Sequence, residues 1–150
     1  MYKRILVPVD GSDTSNKALA AALQLAREGG GRVRFLHTFD DLAYLNGYVM
    51  GAEALQTVRE YATRTLADAM AAAASAGVPA DSKLLEVFGQ RLGEVVADEA
   101  RAFEADLVVV GTHGRRGIGR VLLGSGAEQV IRLAPVPVLA VRTPEPPASA

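Results

Sequence analysis

The stretch LVVVGTHGRRGIGRVLLGSGA, residues 107 to 127, decides the fold. It opens on four consecutive apolar residues, Leu107 to Val110, the composition of a strand buried on both faces, as in a parallel sheet covered by helices. It closes on Gly124, Ser125, Gly126 and Ala127, after which Ala127, Val130, Ile131 and Ala134 recur at helical spacing. Six glycines fall within positions 111 to 127. Glycine tolerates positive φ and close backbone approach, so such a loop can turn amide N–H groups toward an anion without Cβ atoms in the way. Gly124, Ser125 and Gly126 then stand at a helix start, where unpaired amides and the helix dipole favour phosphate. The plainer reading of the same residues is a surface loop with Ser125 as an ordinary N-cap.

The same alternation extends outward along the chain. Apolar, β-rich runs cover 5–9 (ILVPV), 33–37 (VRFLH), 83–88 (KLLEVF), 107–111 and 138–141 (VLAV). Helical spacing separates them: Leu19, Ala22, Leu23 and Ala26; then Leu55, Val58, Ala62, Leu66, Ala69 and Ala73; then Leu92, Val96, Ala100 and Phe103. Ser12 and Thr14 can cap the first helix, Gly29 to Gly31 stop it, and Gly77 with Pro79 ends the second. The order βαβαβαβαβ with short links predicts an α/β fold, an open doubly wound parallel sheet with helices on both faces. Residues 40–50 follow no period and read as an excursion or a loose helix start. The chain is read as one domain over 1–143 and a disordered tail over 144–150.

Composition narrows the function. Hydrophobic residues make up 49% of the 150, enough for one core, and 16 basic residues against 17 acidic ones are mixed along the chain. No basic footprint for nucleic acid or an anionic membrane is visible. Cysteine is absent, which excludes disulfides, thiolate metal sites and a cysteine nucleophile. His37 and His113 lack the spacing of paired metal ligands. The apolar start ends at Val9, short of a signal-peptide core or a membrane span, so a cytoplasmic location is expected. Two common nucleotide motifs are missing: no GxxxxGK[ST] occurs, and the first strand is followed by DGSD rather than GxGxxG.

Gly111, Gly114, nine further residues, Gly124 and Ser125 match the pattern G-x2-G-x9-G-[ST]. Together with RILVPVDGS at 4–12, LHT at 36–38, ADLVVVGTHG at 105–114 and PVPVLAVR at 135–142, this resembles the ATP-binding branch of the universal stress proteins over residues 2 to 142. The resemblance implies a Rossmann-like sheet of order 3-2-1-4-5, as in adenine nucleotide alpha hydrolase-like domains. It also implies ATP or another adenine nucleotide, with Mg2+ bound through the phosphates. The adenosine pocket would be Pro8, Val9, Asp10, Thr38 and Val110. The phosphate cradle would be Gly111, Thr112, His113, Gly114 and Arg115 with Gly124, Ser125, Gly126 and Ala127. At Ala127 some nucleotide-bound relatives carry a hydroxyl, so a side-chain phosphate contact is missing there. In the family the last strand pairs across a two-fold axis, which implies a homodimer through Val138–Val141 and agrees with the apolar edge that strand would expose.

Several residues keep a second reading. Asp10 can hold the nucleoside or simply form the DGS turn. His113 can donate to phosphate or bond the backbone. Arg115, Arg116 and Arg120 can offset phosphate charge or lie solvated. His37 is expected to pack beneath the crevice, and Thr38 to offer its backbone. Ser12, Asp13, Thr14 and Ser15 read as a capped helix start, and no Ser/His/Asp triad or other catalytic group is assembled. The expected function is nucleotide binding in stress response or signalling, with a slow Mg-dependent ATPase and a non-catalytic interaction module as the alternatives. The protein partner stays open.

Overall fold

Strand and helix alternate through the residues that this computed structural model describes, 1–40, 52–113 and 123–142. β1 (Arg4–Pro8) leads into α1 (Asp13–Gly29), β2 (Arg32–Asp40) precedes α2 (Ala52–Ala76), and β3 (Ala80–Val87) precedes α3 (Leu92–Phe103). β4 (Leu107–Gly111) is followed by α4 (Ser125–Leu133) and β5 (Val138–Val141). All pairings are parallel, in the order β3-β2-β1-β4-β5 that the family resemblance implied.

Alternation of side chains along each strand sets the two helical layers. Ile5, Val7, Val33, Phe35, Leu107 and Val109 pack with Leu19, Leu23, Leu66 and Ala69 of α1 and α2. Leu6, Leu36, Val108 and Val110 pack on the opposite side with Val96, Ala100, Phe103 and Val130 of α3 and α4. Each of the larger apolar side chains contributes about 1.5–3 kcal/mol by leaving water. The chain builds β2 and β3 to one side of β1, then returns past β1 to lay down β4 and β5 on the other. β1 and β4, paired at Ile5↔Leu107 and Leu6↔Val108, are therefore the topological switch point.

Helix ends follow local chemistry. Ser12 caps α1 by accepting from the Ser15 amide, and Gly30, left-handed at φ 66°, closes it with a bond to the Ala26 carbonyl. Thr14, expected as a second cap, is instead buried in the first turn. β1 spans 4–8 rather than 5–9, although the Val9 amide still donates to Leu36 O at 2.8 Å. β2 continues past His37 to Asp40, and β3 starts at Ala80 rather than Lys83. The polar start of β3 is held because Asp81 lies opposite Arg34 and accepts from its Nε and Nη2 at 2.7 and 2.9 Å. Ile131, expected to face inward, is 46% exposed, because α4 presents Ala127 and Val130 to the sheet. Of the excursion expected at 40–50, Asp40 ends β2 and the rest lies outside the described residues, as does the tail expected over 144–150.

A charged network joins β2, β3 and α3 on the α3–α4 face. Glu99, 4% exposed, accepts from Arg34 Nη1 and Lys83 Nζ, each at 2.9 Å. The Arg34 guanidinium lies 4.2 Å from the Phe103 ring centroid, and Arg4 lies 4.7 Å from it. A buried carboxylate is tolerable here because both its oxygens are engaged. Hydrogen bonding to Asp81 raises the Arg34 pKa, and the same bond holds the Asp81 carboxyl below the usual carboxylate value. Among the described residues no helix is long and apolar enough to cross a membrane.

Candidate functional site

At the carboxyl end of β1 the chain turns through Val9, Asp10 and Gly11. The Asp10 amide donates to Ser15 Oγ at 3.0 Å, and Asp10 Oδ1 accepts from the Ser12 amide at 2.9 Å. The turn-forming reading of Asp10 thus holds for Oδ1. Its Oδ2 has no hydrogen-bond partner among the described residues. Both preceding carbonyls are bound by side chains from elsewhere: His37 Nδ1–H donates to Val9 O at 2.7 Å, and the Tyr61 hydroxyl to Asp10 O at 2.8 Å. His37 is half-buried beneath the turn, as expected. Gly11 adopts φ +80°, and a Cβ built there would stand 2.4 Å from the Tyr61 hydroxyl oxygen.

The carboxyl end of β4 lies beside this turn. Val110 is buried, and a Cβ on Gly111 would meet the carbonyl carbon and oxygen of Thr14 at 2.9 Å. The absent side chain at 111 therefore lets β4 approach the first turn of α1, which places the start of the loop next to Asp10. Thr112 is 3% exposed and pinned from both sides. Its amide donates to Val141 O at 3.0 Å, and its carbonyl accepts from the Gly124 amide at 2.5 Å. His113 Nδ1 lies 3.1 Å from Thr112 Oγ1, whereas its Nε2 is buried without a hydrogen-bond partner among the described residues.

The amino end of α4 completes the site. Gly124, not Ser125, is the N-cap, so no side chain caps the helix, and the first intrahelical bond runs from Glu128 N to Gly124 O at 3.0 Å. The amides of Ser125, Gly126 and Ala127 make no hydrogen bond among the described residues. They resemble the open end of a dipole more than the amino end of α1, which Ser12 closes. The Ala127 side chain is 5% exposed and packs in the core shared by α3 and α4. It has only its amide to offer.

Pro8, Val9, Asp10, Thr38, Val110, Gly111, Thr112, His113 and the α4 start therefore share the carboxyl side of the sheet, with Thr38 half-buried inside β2 rather than beyond it. Gly114, Arg115, Arg116 and Arg120 lie outside the described residues. Sequence reasoning missed Ser15 and Tyr61. Ser15 was legible only as part of a cap, and Tyr61 lies 51 positions from the carbonyl it binds. A cleft of about 370 Å3 between α1 and α2 adjoins the turn through Val9, Gly11 and Tyr61. Among the described residues, none of the loop or of α4 lines it. What the arrangement offers chemically is a carboxylate oxygen for hydroxyl groups and a set of amides, with one imidazole nitrogen, for an anion.

Comparison with known proteins agrees with this geometry. The universal stress protein family matches residues 1–142. A universal stress protein of Thermus aquaticus is 37% identical over 142 residues, covering 95% of this chain and 100% of that protein. A solved structure from the universal stress protein family of Burkholderia pseudomallei superposes with a TM-score of 0.74 at 34% identity, over 93% of this chain and 96% of that one. The universal stress protein of Archaeoglobus fulgidus, solved in complex with dAMP, has a TM-score of 0.68 and 27% identity over 93% and 98% of the two chains.

Proposed function

This chain belongs to the universal stress protein family, and from that premise we propose that it binds an adenine nucleotide, ATP, in the crevice between the Asp10 turn and the amino end of α4. The observation that carries the proposal is the uncapped start of α4. Three consecutive amides, of Ser125, Gly126 and Ala127, have no partner among the described residues, and the bond from Gly124 N to Thr112 O joins their helix start to the strand end that carries His113, whose Nε2 is buried without a partner among the described residues. Such a cluster suits phosphate oxygens. Asp10 Oδ2 then takes a ribose hydroxyl, and Pro8, Val9, Thr38 and Val110 flank the adenosine. Gly114 and Arg115 belong to the same cradle by the sequence pattern. Mg2+ enters on the phosphates. The dAMP complex of the Archaeoglobus fulgidus relative supports an adenine ligand.

The proposal extends to a cytoplasmic homodimer that responds to stress by changing conformation or partner with nucleotide occupancy. β5 forms one edge of the sheet, and Leu139 on it is 40% exposed, with Ile131 and Leu133 on α4 at 46% and 39%. An apolar edge of this kind is covered when a second strand pairs with it.

The test is to purify the protein, denature it and chromatograph the released supernatant, then titrate the emptied protein with ATP by calorimetry. With no Trp and 4 Tyr in the chain, bound adenine would dominate the ultraviolet spectrum. ATP recovered in proportion to protein is the expected outcome. A protein that releases no nucleotide, and takes up none at millimolar ATP, would sink the reading.

A further inference from the structure

Tyr61 stands on α2, well away in sequence from every residue assigned to the nucleotide, yet its hydroxyl ends on the backbone of the Asp10 turn. We infer that Tyr61 is a positioning residue for the nucleoside: it fixes the Asp10 main chain, and through it the carboxylate, in the geometry that receives the ribose. The inference rests on the nucleotide-binding reading above and adds a residue to it.

The need for such a clamp follows from the topology. β1 and β4 are paired at Ile5↔Leu107 and Leu6↔Val108, below the turn, and β1 itself ends at Pro8. The carbonyls of Val9 and Asp10 therefore extend past the strand. Side chains take over there, His37 from β2 on Val9 O and Tyr61 from α2 on Asp10 O. The two rings meet edge to face at 6.4 Å. Gly11 leaves the room: a Cβ would occupy the position of the hydroxyl, and φ +80° is a conformation glycine adopts without penalty. The carboxylate is held in turn, by the Ser12 amide on Oδ1. With main chain and carboxylate both fixed before binding, the ligand does not have to order them, and that ordering cost is removed from the affinity.

A residue that only packs would behave differently from one that acts through Asp10. The probes are ATP and inorganic tripolyphosphate, the second carrying no nucleoside, titrated into the wild-type protein, Tyr61→Phe, Asp10→Ala and the double variant. Tyr61→Phe deletes one oxygen and keeps the ring. It is expected to weaken ATP about three- to tenfold, the worth of one neutral hydrogen bond, and to leave tripolyphosphate unchanged. The double variant is expected to bind ATP no more weakly than Asp10→Ala. Tyr61→Leu, which removes the hydroxyl and leaves the Gly11 backbone untouched, should reproduce the ATP-selective loss should Tyr61→Phe not fold. ATP affinity equal to wild type in Tyr61→Phe overturns the inference, as does a fully additive double variant or an equal loss of tripolyphosphate. Wild-type protein that binds no ATP at all overturns the nucleotide reading itself, a result separate from an intact site indifferent to Tyr61.

Discussion

Replacing Gly111 with alanine separates two reasons for a glycine in a phosphate loop, room for a ligand or room for the protein. The methyl would lie 2.9 Å from the carbonyl carbon and oxygen of Thr14 and 3.0 Å from its Cγ2. Ordinary carbon contacts fall at about 3.5–4.0 Å, so the first turn of α1 must retreat from β4 by about 0.6 Å or more. Little can give, because two of the three contacts are with backbone and α1 is anchored below by buried Ala18, Ala22 and Leu23. Overpacking of this kind costs about 1–3 kcal/mol. Gly111 is not at positive φ, so alanine is unstrained there and recovers about 0.4–1 kcal/mol by restricting the unfolded chain. The net loss, about 1–2 kcal/mol, corresponds to a Tm about 2–8 °C lower in a domain of this size. Circular dichroism melts of the empty protein measure it, and calorimetry with ATP completes the comparison. Thr14→Ser in the Gly111→Ala background should rescue little, since the backbone contacts remain. An unchanged or raised Tm combined with lost ATP binding would refute the reasoning and return Gly111 to the ligand.

Two further outcomes follow from the edges of the sheet. The hydrogen bond from Arg34 holds the Asp81 carboxyl below its usual value, so the folded protein takes up that proton less readily than the unfolded chain. The resulting stabilisation is complete above the ordinary carboxylate range, about pH 4, and is lost as pH falls through the depressed folded value. Urea midpoints measured from pH 6 to pH 2 should therefore fall less steeply on the acid side for Asp81→Asn than for wild type, and parallel acid limbs would contradict the pairing. At the opposite edge, Leu139→Glu places a charge on the exposed face of β5. Light scattering should report a monomer for this variant and a dimer for wild type, and a variant that remains dimeric would move the interface elsewhere.

The fold was legible because burial writes itself into periodicity. Leu107 to Val110 suited a strand buried on both faces, and all four are buried in β4; the spacing of Leu19, Ala22, Leu23 and Ala26 matched a buried helix face in full. The readings that failed did so where a distant partner overrides local pattern. Asp81 looks too polar for a strand until Arg34 stands opposite it, and Ile131 looks like core until α4 proves to sit toward the sheet's edge with only part of its circumference covered. At the site, the glycine pattern pointed to the loop and to the helix start, and Asp10 to the turn. It could not distinguish Gly111 as a packing glycine from a ligand-facing one. Nor could it show that the Ala127 side chain is buried, since both depend on which way a Cβ points.

Order along the chain, the strand and helix alternation, the glycine loop and the likeness to a known family were set by sequence, since each depends on residues near one another or on a pattern that can be read in line. Tertiary structure decided which of those residues meet. The reversal of connection between β1 and β4 puts Gly111 against the first turn of α1, which follows the Asp10 turn, and the packing of α2 brings Tyr61 across 51 positions to the Asp10 carbonyl. A hydrogen bond depends on distance and direction in space, and no local pattern in the chain encodes either for groups so far apart.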